Sequence, residues 1–351
     1  MNKYSPLKIV WFPDKLNSLR NKKVTAPLYV RIKPTNRCNH NCFFCVYNKS
    51  YANMHENMIR QDEISREKIL EILFDLKKIG VKAITYSGGG EPLIHPNIIE
   101  IMNKTLEYNI DLSILTNGQK LNGERAKILS KAKWVRISID YFDEVGFKTS
   151  RGGSSKMFLE IIDNIKKFAK EPHDGDFEVN FIITKENYKG LEKAAKLLKS
   201  LGIDNVRFSP VWIKNMTNYH DSIKKEVIQS IKNIKEKFED NNFKIYSGYH
   251  KAAISKIALY RSYTKCPFMQ IVPVIGADSN VYNCHNQSYS EEGIIGSIKN
   301  QTFSDLWFSE KTSKYFESFN PQEHCQGIQC TADKKNVLLN NMLDASPDNF
   351  V

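Results

Sequence analysis

Three cysteines crowd one short stretch of the chain, "KPTNRCNHNCFFCVY" at residues 33–47. Cys38, Cys42 and Cys45 have the spacing C-x3-C-x2-C and account for three of the seven cysteines. Such a loop can wrap three thiolates around one face of a cubic iron–sulfur cluster, which leaves one iron without a protein ligand. The alternative is a zinc ion with His40 as its fourth ligand, although His40 follows Cys38 more closely than zinc ligands are usually spaced.

A glycine-rich segment, "YSGGGEP" at residues 86–92, ends the next strand-like run. Glycines at the C-terminal tip of a strand let the backbone approach a ligand, and Glu91 adds an acceptor. Alone, this segment is more often a turn than a site. Its place one β/α unit after the cysteines indicates a ligand beside the cysteine loop.

Strand-like runs alternate with amphipathic helical patterns up to residue 210. Strands are predicted at 28–33, 82–87, 111–116, 134–140, 177–184 and 205–209, and helices near 63–79, 97–108, 123–132, 156–170 and 189–201. This alternation predicts an α/β fold with a parallel sheet and right-handed crossovers. Six units are too few to close an eight-stranded barrel, so a partial barrel and an open wound sheet both fit.

One face of these predicted strands is apolar, whereas the other carries polar and charged residues. A parallel sheet packed on both faces would be apolar on both. The polar face therefore predicts a cavity for a charged cofactor and substrate. Its cations are Arg31, Lys33, Arg136 and Arg207.

The regular alternation of strands and helices ends after residue 210. Helices are predicted at about 221–240 and 251–262, two short strands around a turn at 277–280, and helices in "QTFSDLWFS" and "KTSKYFESF". This region holds the other four cysteines, which fit a fully ligated second cluster or one structural zinc; they are Cys266, Cys284, Cys325 and Cys330. We divide the chain into an N-terminal extension (1–27), a barrel (28–215), a helical linker (216–260) and a smaller α+β cysteine-bearing module (261–351).

The overall charge of +12 favours anionic partners. No compact run of five or more basic residues is present, so a nucleic-acid partner is not favoured. No apolar run is long enough to span a membrane, and the N-terminus does not resemble a signal peptide. Seven cysteines, an odd number, argue against a disulfide framework. A cytoplasmic protein is expected.

Together, the two motifs resemble those of radical S-adenosylmethionine (SAM) enzymes over residues 28 to about 210. Phe44 completes the cysteine signature, and Gly89, Gly90 and Glu91 match the motif that binds the methionine amino group. The resemblance implies a partial (β/α)6 TIM-like barrel, a [4Fe–4S] cluster on the three cysteines, and SAM on its fourth iron. A reductant such as flavodoxin or ferredoxin would supply the electron that cleaves SAM to a 5′-deoxyadenosyl radical, which abstracts a substrate hydrogen.

The same resemblance implies further SAM-binding residues. Ser138 lies in an S-x-D pattern, and Arg151 follows about a dozen residues later; both would contact the SAM carboxylate or ribose. Thr116 and Asn117 in "LTNG" are additional candidates nearby.

The C-terminal cysteines resemble the SPASM/twitch extension of radical SAM enzymes. Ser279 stands where the family usually has glycine in a turn, and we expect its neighbour Asn280 to take the left-handed conformation. Four cysteines imply one auxiliary [4Fe–4S] cluster and leave no cysteine over.

The assignment of all seven cysteines to clusters favours dehydrogenation over epimerisation, because no free thiol remains to return a hydrogen atom to a substrate radical. A fully ligated auxiliary cluster could accept the electron instead. His285 stands where similar sulfatase-maturating enzymes carry an acidic base, so it is a candidate general base. A supporting or surface histidine fits equally well.

The cations of the polar face predict a small anionic substrate such as a sugar or nucleotide sugar. A peptide or protein substrate is the alternative, although the first strand begins by residue 28 and a preceding peptide-recognition domain is not expected. A non-catalytic iron–sulfur or zinc protein is a third hypothesis, against which the glycine loop argues.

Overall fold

The computed structural model describes residues 5–48, 55, 57–213, 216–249, 260–328 and 330–345, with only the backbone for 216 and 217. Seven strands form an open parallel sheet in chain order. They are β1 (Tyr29–Ile32), β2 (Ala83–Tyr86), β3 (Asp111–Thr116), β4 (Trp134–Ser138), β5 (Asp176–Ile183), β6 (Asn205–Pro210) and β7 (Lys244–Ser247). The six predicted strands and the parallel α/β sheet are confirmed. The linker at 216–260 is not wholly helical as predicted, because β7 extends the sheet there.

Helices connect these strands, and the five predicted within the barrel are confirmed. The helices up to β7 are α1 (Pro13–Arg20), α2 (Arg66–Lys78), α3 (Ile98–Glu107), α4 (Gly123–Leu129), α5 (Glu144–Arg151), α6 (Ser155–Lys170), α7 (Leu191–Ser200), α8 (Met216–Asp221) and α9 (Lys224–Phe238). The sequence analysis missed α5, which ends at Arg151. The helix predicted at 251–262 lies almost wholly outside the described residues. Within the described part of the chain, no helix has the length and apolar character needed to cross a membrane.

The core lies between the sheet and these helices. Side chains of the predicted apolar face, such as Val30, Ile137 and Phe181, are fully buried. Burial of this face is the main favourable contribution to folding. The opposite face keeps Arg31, Arg136 and Asn180 partly exposed, whereas Lys33 and Glu178 on the same face are buried.

The C-terminal module joins the same sheet through β1. Strand β8 (Val274–Ile275) pairs parallel with β1, and β9 (Asn280–Tyr282) and β10 (Ile294–Ser297) follow antiparallel. The remaining helices are α10 (Phe268–Ile271), α11 (Phe303–Trp307), α12 (Glu310–Ser318), α13 (Pro321–His324) and α14 (Asp333–Asp344). The β8–β9 turn is confirmed, but Ser279 itself has φ +61°. The expectation that Asn280 would take the left-handed conformation is therefore wrong.

A buried carboxylate also fastens the module to the barrel. Asp75 of α2 accepts hydrogen bonds from the backbone N–H (2.5 Å) and hydroxyl (2.7 Å) of Ser304, in the first turn of α11. The Trp307 indole of the same helix donates to the Thr25 carbonyl at 2.8 Å. These contacts fix α11 against the barrel.

We predict that Asp75→Ala lowers the stability of the whole chain. Loss of a buried carboxylate that accepts two hydrogen bonds costs about 1–3 kcal/mol. Asp163→Ala is the matched control, because Asp163 is exposed and its i,i+4 pair with Lys167 is worth about 0.5 kcal/mol or less. Anaerobic calorimetry should show a lower Tm for Asp75→Ala only; equal Tm values for the two variants would contradict the role given to Asp75.

Candidate SAM and iron–sulfur sites

The three-cysteine loop begins directly after β1 and is fastened to α5. The backbone N–H of Asn41 donates to the Arg151 carbonyl (3.0 Å), and that of Phe43 donates to the Ser150 carbonyl (3.2 Å). Burial raises the pKa of Cys38 to about 11 and that of Cys42 to about 12, and repulsion from the Cys45 sulfur adds to both shifts. Thiolates here therefore need a compensating cation, which the irons of a cluster provide.

The glycine loop docks on the cysteine loop through its backbone. Gly90 N–H donates to the Thr35 carbonyl (3.2 Å), and Glu91 N–H donates to the Arg37 carbonyl (2.8 Å). A Cβ added to Gly89 would overlap the Asn36 side chain, and one added to Gly90 would overlap the Arg37 backbone. Only glycine fits where the two loops pack this closely. The backbone of the glycine loop therefore lies beside the cysteines, where it can bind the methionine end of SAM.

Glu91 joins the tips of β2 and β3. Its buried carboxylate accepts from the Thr116 hydroxyl (2.6 Å), the Asn117 N–H (2.7 Å) and the Leu93 N–H (3.0 Å). Burial raises the pKa of Glu91, whereas these hydrogen bonds act in the opposite direction. The structure thus brings three predicted residues together, with Glu91 as the acceptor that orders the other two.

Arg151 is held by a partner to which the sequence analysis gave no role. Its guanidinium donates to the Asp140 carboxylate and lies 5.7 Å from the centre of the Phe44 ring. Within the described residues, buried Arg151 Nε and Asp140 Oδ2 have no hydrogen-bond partner. Ser138, on the tip of β4, is half-buried beside them. The Arg151 Nε and Asp140 Oδ2 atoms are suited to binding the carboxylate and ribose of SAM. The signal for Asp140 was its position in the S-x-D pattern.

The four C-terminal cysteines come from three segments, since Cys325 and Cys330 are only five residues apart, and they lie close together. Burial raises the pKa of Cys284 to about 11 and that of Cys325 to about 12, and repulsion between neighbouring sulfurs of the group adds to both shifts. Two amides donate to these sulfurs, Asn336 to Cys266 Sγ at 3.2 Å and Gln287 to Cys325 Sγ at 3.7 Å. Such N–H···S contacts are typical of cluster ligands and tune their reduction potential.

The donor sets fit clusters better than single zinc ions. All seven cysteines are free thiols. Among the described residues, no group of three or more His, Cys, Asp or Glu side chains is arranged to hold a single metal ion. His40, the alternative zinc ligand, instead places its Nε2 3.1 Å from the amide oxygen of Gln119.

His285 lies next to Cys284, half-buried, and its Nδ1 has no hydrogen-bond partner within the described chain. Burial, Arg31 and Lys33 hold the pKa of His285 well below its usual range. The sequence analysis assumed an ordinary histidine pKa, and that assumption is wrong. The imidazole is neutral at pH 7 and is a weaker base than expected.

The cations of the polar face differ in their surroundings. Arg136 pairs with the Glu178 carboxylate at 2.6 Å, so its charge is largely compensated. Arg31 donates to the Tyr29 hydroxyl (3.1 Å) and has no carboxylate within ion-pair distance among the described residues. Burial lowers the pKa of Lys335 of α14, which sequence reasoning missed, and repulsion from nearby Arg31 lowers it further. No sequence pattern pointed to Lys335.

Comparison with known proteins matches both parts of the chain to families. Residues 32–198 match the radical SAM superfamily, and residues 266–331 match SPASM, an iron–sulfur cluster-binding domain. The chain is 24% identical over 307 residues to the tungsten-containing aldehyde ferredoxin oxidoreductase cofactor-modifying protein of Pyrococcus furiosus, covering 81% of each chain. It is 31% identical over 220 residues to GTP 3′,8-cyclase of Thermodesulfovibrio yellowstonii, covering 60% of this chain and 63% of the cyclase.

The fold is similar to that of SuiB from Streptococcus suis, solved with its precursor peptide SuiA. The TM-score is 0.64 at 16% identity, over 96% of this chain and 78% of SuiB. The partial barrel and the cysteine-bearing module are therefore both confirmed, as are the [4Fe–4S] cluster, SAM and the auxiliary iron–sulfur site that these domains imply. Its two matched domains are those of a radical SAM enzyme with a C-terminal SPASM module.

Proposed function

We propose that this enzyme removes two hydrogen atoms from a small anionic substrate. The observation that carries the proposal is the division of all seven cysteines into two groups, three beside the glycine loop and four in the SPASM module. No thiol remains to return a hydrogen atom to a substrate radical, so oxidation is favoured over epimerisation.

The proposed reaction balances once a reductant has supplied the first electron. When bound, the three-cysteine cluster and SAM supply a 5′-deoxyadenosyl radical. The substrate would give one hydrogen atom to this radical and would then lose a proton and an electron. Cys266, Cys284, Cys325 and Cys330 would hold the auxiliary cluster that could accept this electron. The overall change would convert SAM and substrate to methionine, 5′-deoxyadenosine, a proton and the oxidised substrate.

Different residues around the three-cysteine site are assigned to different chemical groups of SAM. Gly89 and Gly90 offer backbone to the methionine amino group, and Glu91 orders that loop through its bonds to β3. Ser138 and Arg151 are suited to the carboxylate and ribose, because Arg151 Nε is buried without a partner within the described chain.

Substrate binding is assigned to the edge where the barrel meets α14. Arg31 and Lys335 repel each other there, and neither has a carboxylate partner among the described residues. An anion such as the phosphate of a nucleotide or nucleotide sugar would relieve this repulsion. Similarity to enzymes named for GTP supports this class. His285, which lies near Arg31, is the proposed proton acceptor, and a substrate anion would raise its low pKa.

A peptide substrate is the second candidate. The observation that favours it is the likeness of fold to SuiB, which was solved with a precursor peptide. The pairing of Arg136 with Glu178 also leaves fewer free cations on the polar face than the sequence predicted.

We predict that Thr116→Val weakens SAM binding about tenfold, equivalent to about 1.4 kcal/mol. Valine has the same shape but cannot donate to the Glu91 carboxylate. Thr105→Val is the matched control, because Thr105 is equally buried and its hydroxyl lies 2.7 Å from the Tyr86 hydroxyl. Calorimetric titration of SAM into the reconstituted protein should separate the two variants; wild-type affinity in Thr116→Val would contradict the role given to Glu91.

The substrate assignment predicts that nucleotides or sugar phosphates, rather than peptides, stimulate release of 5′-deoxyadenosine. Mass spectrometry should find one product lacking two hydrogens for each 5′-deoxyadenosine formed. Arg31→Gln and Lys335→Gln should raise KM more than they lower kcat, because they remove binding and not chemistry. Exposed Lys299→Gln is the control.

Two other results would overturn the proposal. A product that has the mass of the substrate when formed in H2O, and that gains one deuterium when formed in D2O, would indicate epimerisation. Stimulation by peptides alone would indicate that the enzyme modifies peptides.

A further inference from the structure

A lysine with no exposed surface lies between the two cysteine sites. Lys33 is 0% exposed, and its ammonium donates to the Tyr47 hydroxyl at 2.8 Å and to the Ser288 hydroxyl at 2.6 Å. Tyr47 follows Cys45 by two residues, and Ser288 follows Cys284 by four. One side chain therefore joins the loops of both sites.

Aromatic rings enclose this ammonium on two sides. Its nitrogen lies 4.9 Å from the centre of the Tyr47 ring and 4.5 Å from that of Tyr289. Tyr289 adopts φ +65°, which costs energy for any residue but glycine, and its hydroxyl donates to Asn36 Oδ1 at 2.5 Å. The strained backbone at Tyr289 is thus maintained by a contact that reaches the loop before Cys38.

The charge of Lys33 lacks a conventional partner. Among the described residues, no carboxylate lies within ion-pair distance, and an uncompensated buried ammonium is costly. Burial and Arg31 lower the pKa of Lys33, whereas Asp278 and the sulfurs of Cys284 and Cys45 act in the opposite direction. Negative charge at the two cysteine sites therefore favours the ammonium form.

We propose that Lys33 is a positioning residue whose ammonium serves as a counter-charge shared by both cluster sites. A fixed positive charge stabilises the reduced form of each site, because reduction adds a negative charge. Lys33 should therefore raise both reduction potentials together. The hydrogen bonds to Tyr47 and Ser288 hold it at the same position relative to both sites. This inference depends on the two clusters and is independent of the proposed substrate.

The test compares Lys33→Met and Lys33→Gln with wild type as reconstituted holoenzymes. Glutamine keeps a hydrogen-bond donor but removes the charge. Potentiometric titration followed by electron paramagnetic resonance should show both midpoint potentials shifted to more negative values in both variants, with wild-type iron content. Lys299→Met, which removes an exposed charge, and Ser288→Ala, which removes one hydrogen bond, are the controls and should shift the potentials less.

Unchanged potentials in both Lys33 variants would overturn the proposal. So would a wild-type potential in Lys33→Gln with a shift only in Lys33→Met, because the hydrogen bonds would then be responsible. Loss of cluster iron from both variants would assign Lys33 a purely structural role. Shifts in Ser288→Ala as large as those in Lys33→Met would do the same.

Discussion

Seven free thiols gathered in two groups without a disulfide are the constraint on which the rest of this structure depends. Burial and mutual repulsion raise the pKa of cysteines such as Cys42 and Cys284 far above neutrality. Thiolates therefore exist at these two sites only with metal charge to compensate them. The surrounding groups suit that purpose, since amides point at two sulfurs and a buried lysine lies between the sites.

The topology explains how two sites so distant in sequence come together. Strand β8 adds to the free edge of β1, so the segment leading to Cys284 runs beside the one leading to Cys38. Lys33 N–H bonds the Ile275 carbonyl at 2.9 Å, which sets the register of this junction. Asp75 and Thr25 then hold α11 against the barrel. An auxiliary site built this way has a fixed position relative to the SAM site.

The sequence predicted what depends on local pattern. Alternation and glycine placement identified six strands. Cysteine spacing predicted the first cluster site, and the four remaining cysteines with their resemblance to the SPASM/twitch extension predicted the second. What depends on contacts between strands was missed: the pairing of Arg136 with Glu178 and the enclosure of Lys33. Periodicity assigns a side chain to a face but does not say which charge lies opposite. The conformation at Ser279 was also missed, because propensity favours asparagine in the left-handed region whereas the turn geometry selects the serine.

The division of the cysteines into two cluster sites is the central claim, and iron and sulfide quantitation after anaerobic reconstitution tests it directly. Wild type should contain about eight irons, and about four should remain in the Cys38→Ala/Cys42→Ala/Cys45→Ala variant. Replacement of Cys266 and Cys284 should leave about four irons, whose signal still responds to SAM. About four irons in wild type and none in the triple variant would contradict the account, because the SPASM module would then hold no cluster and could not accept an electron from the substrate.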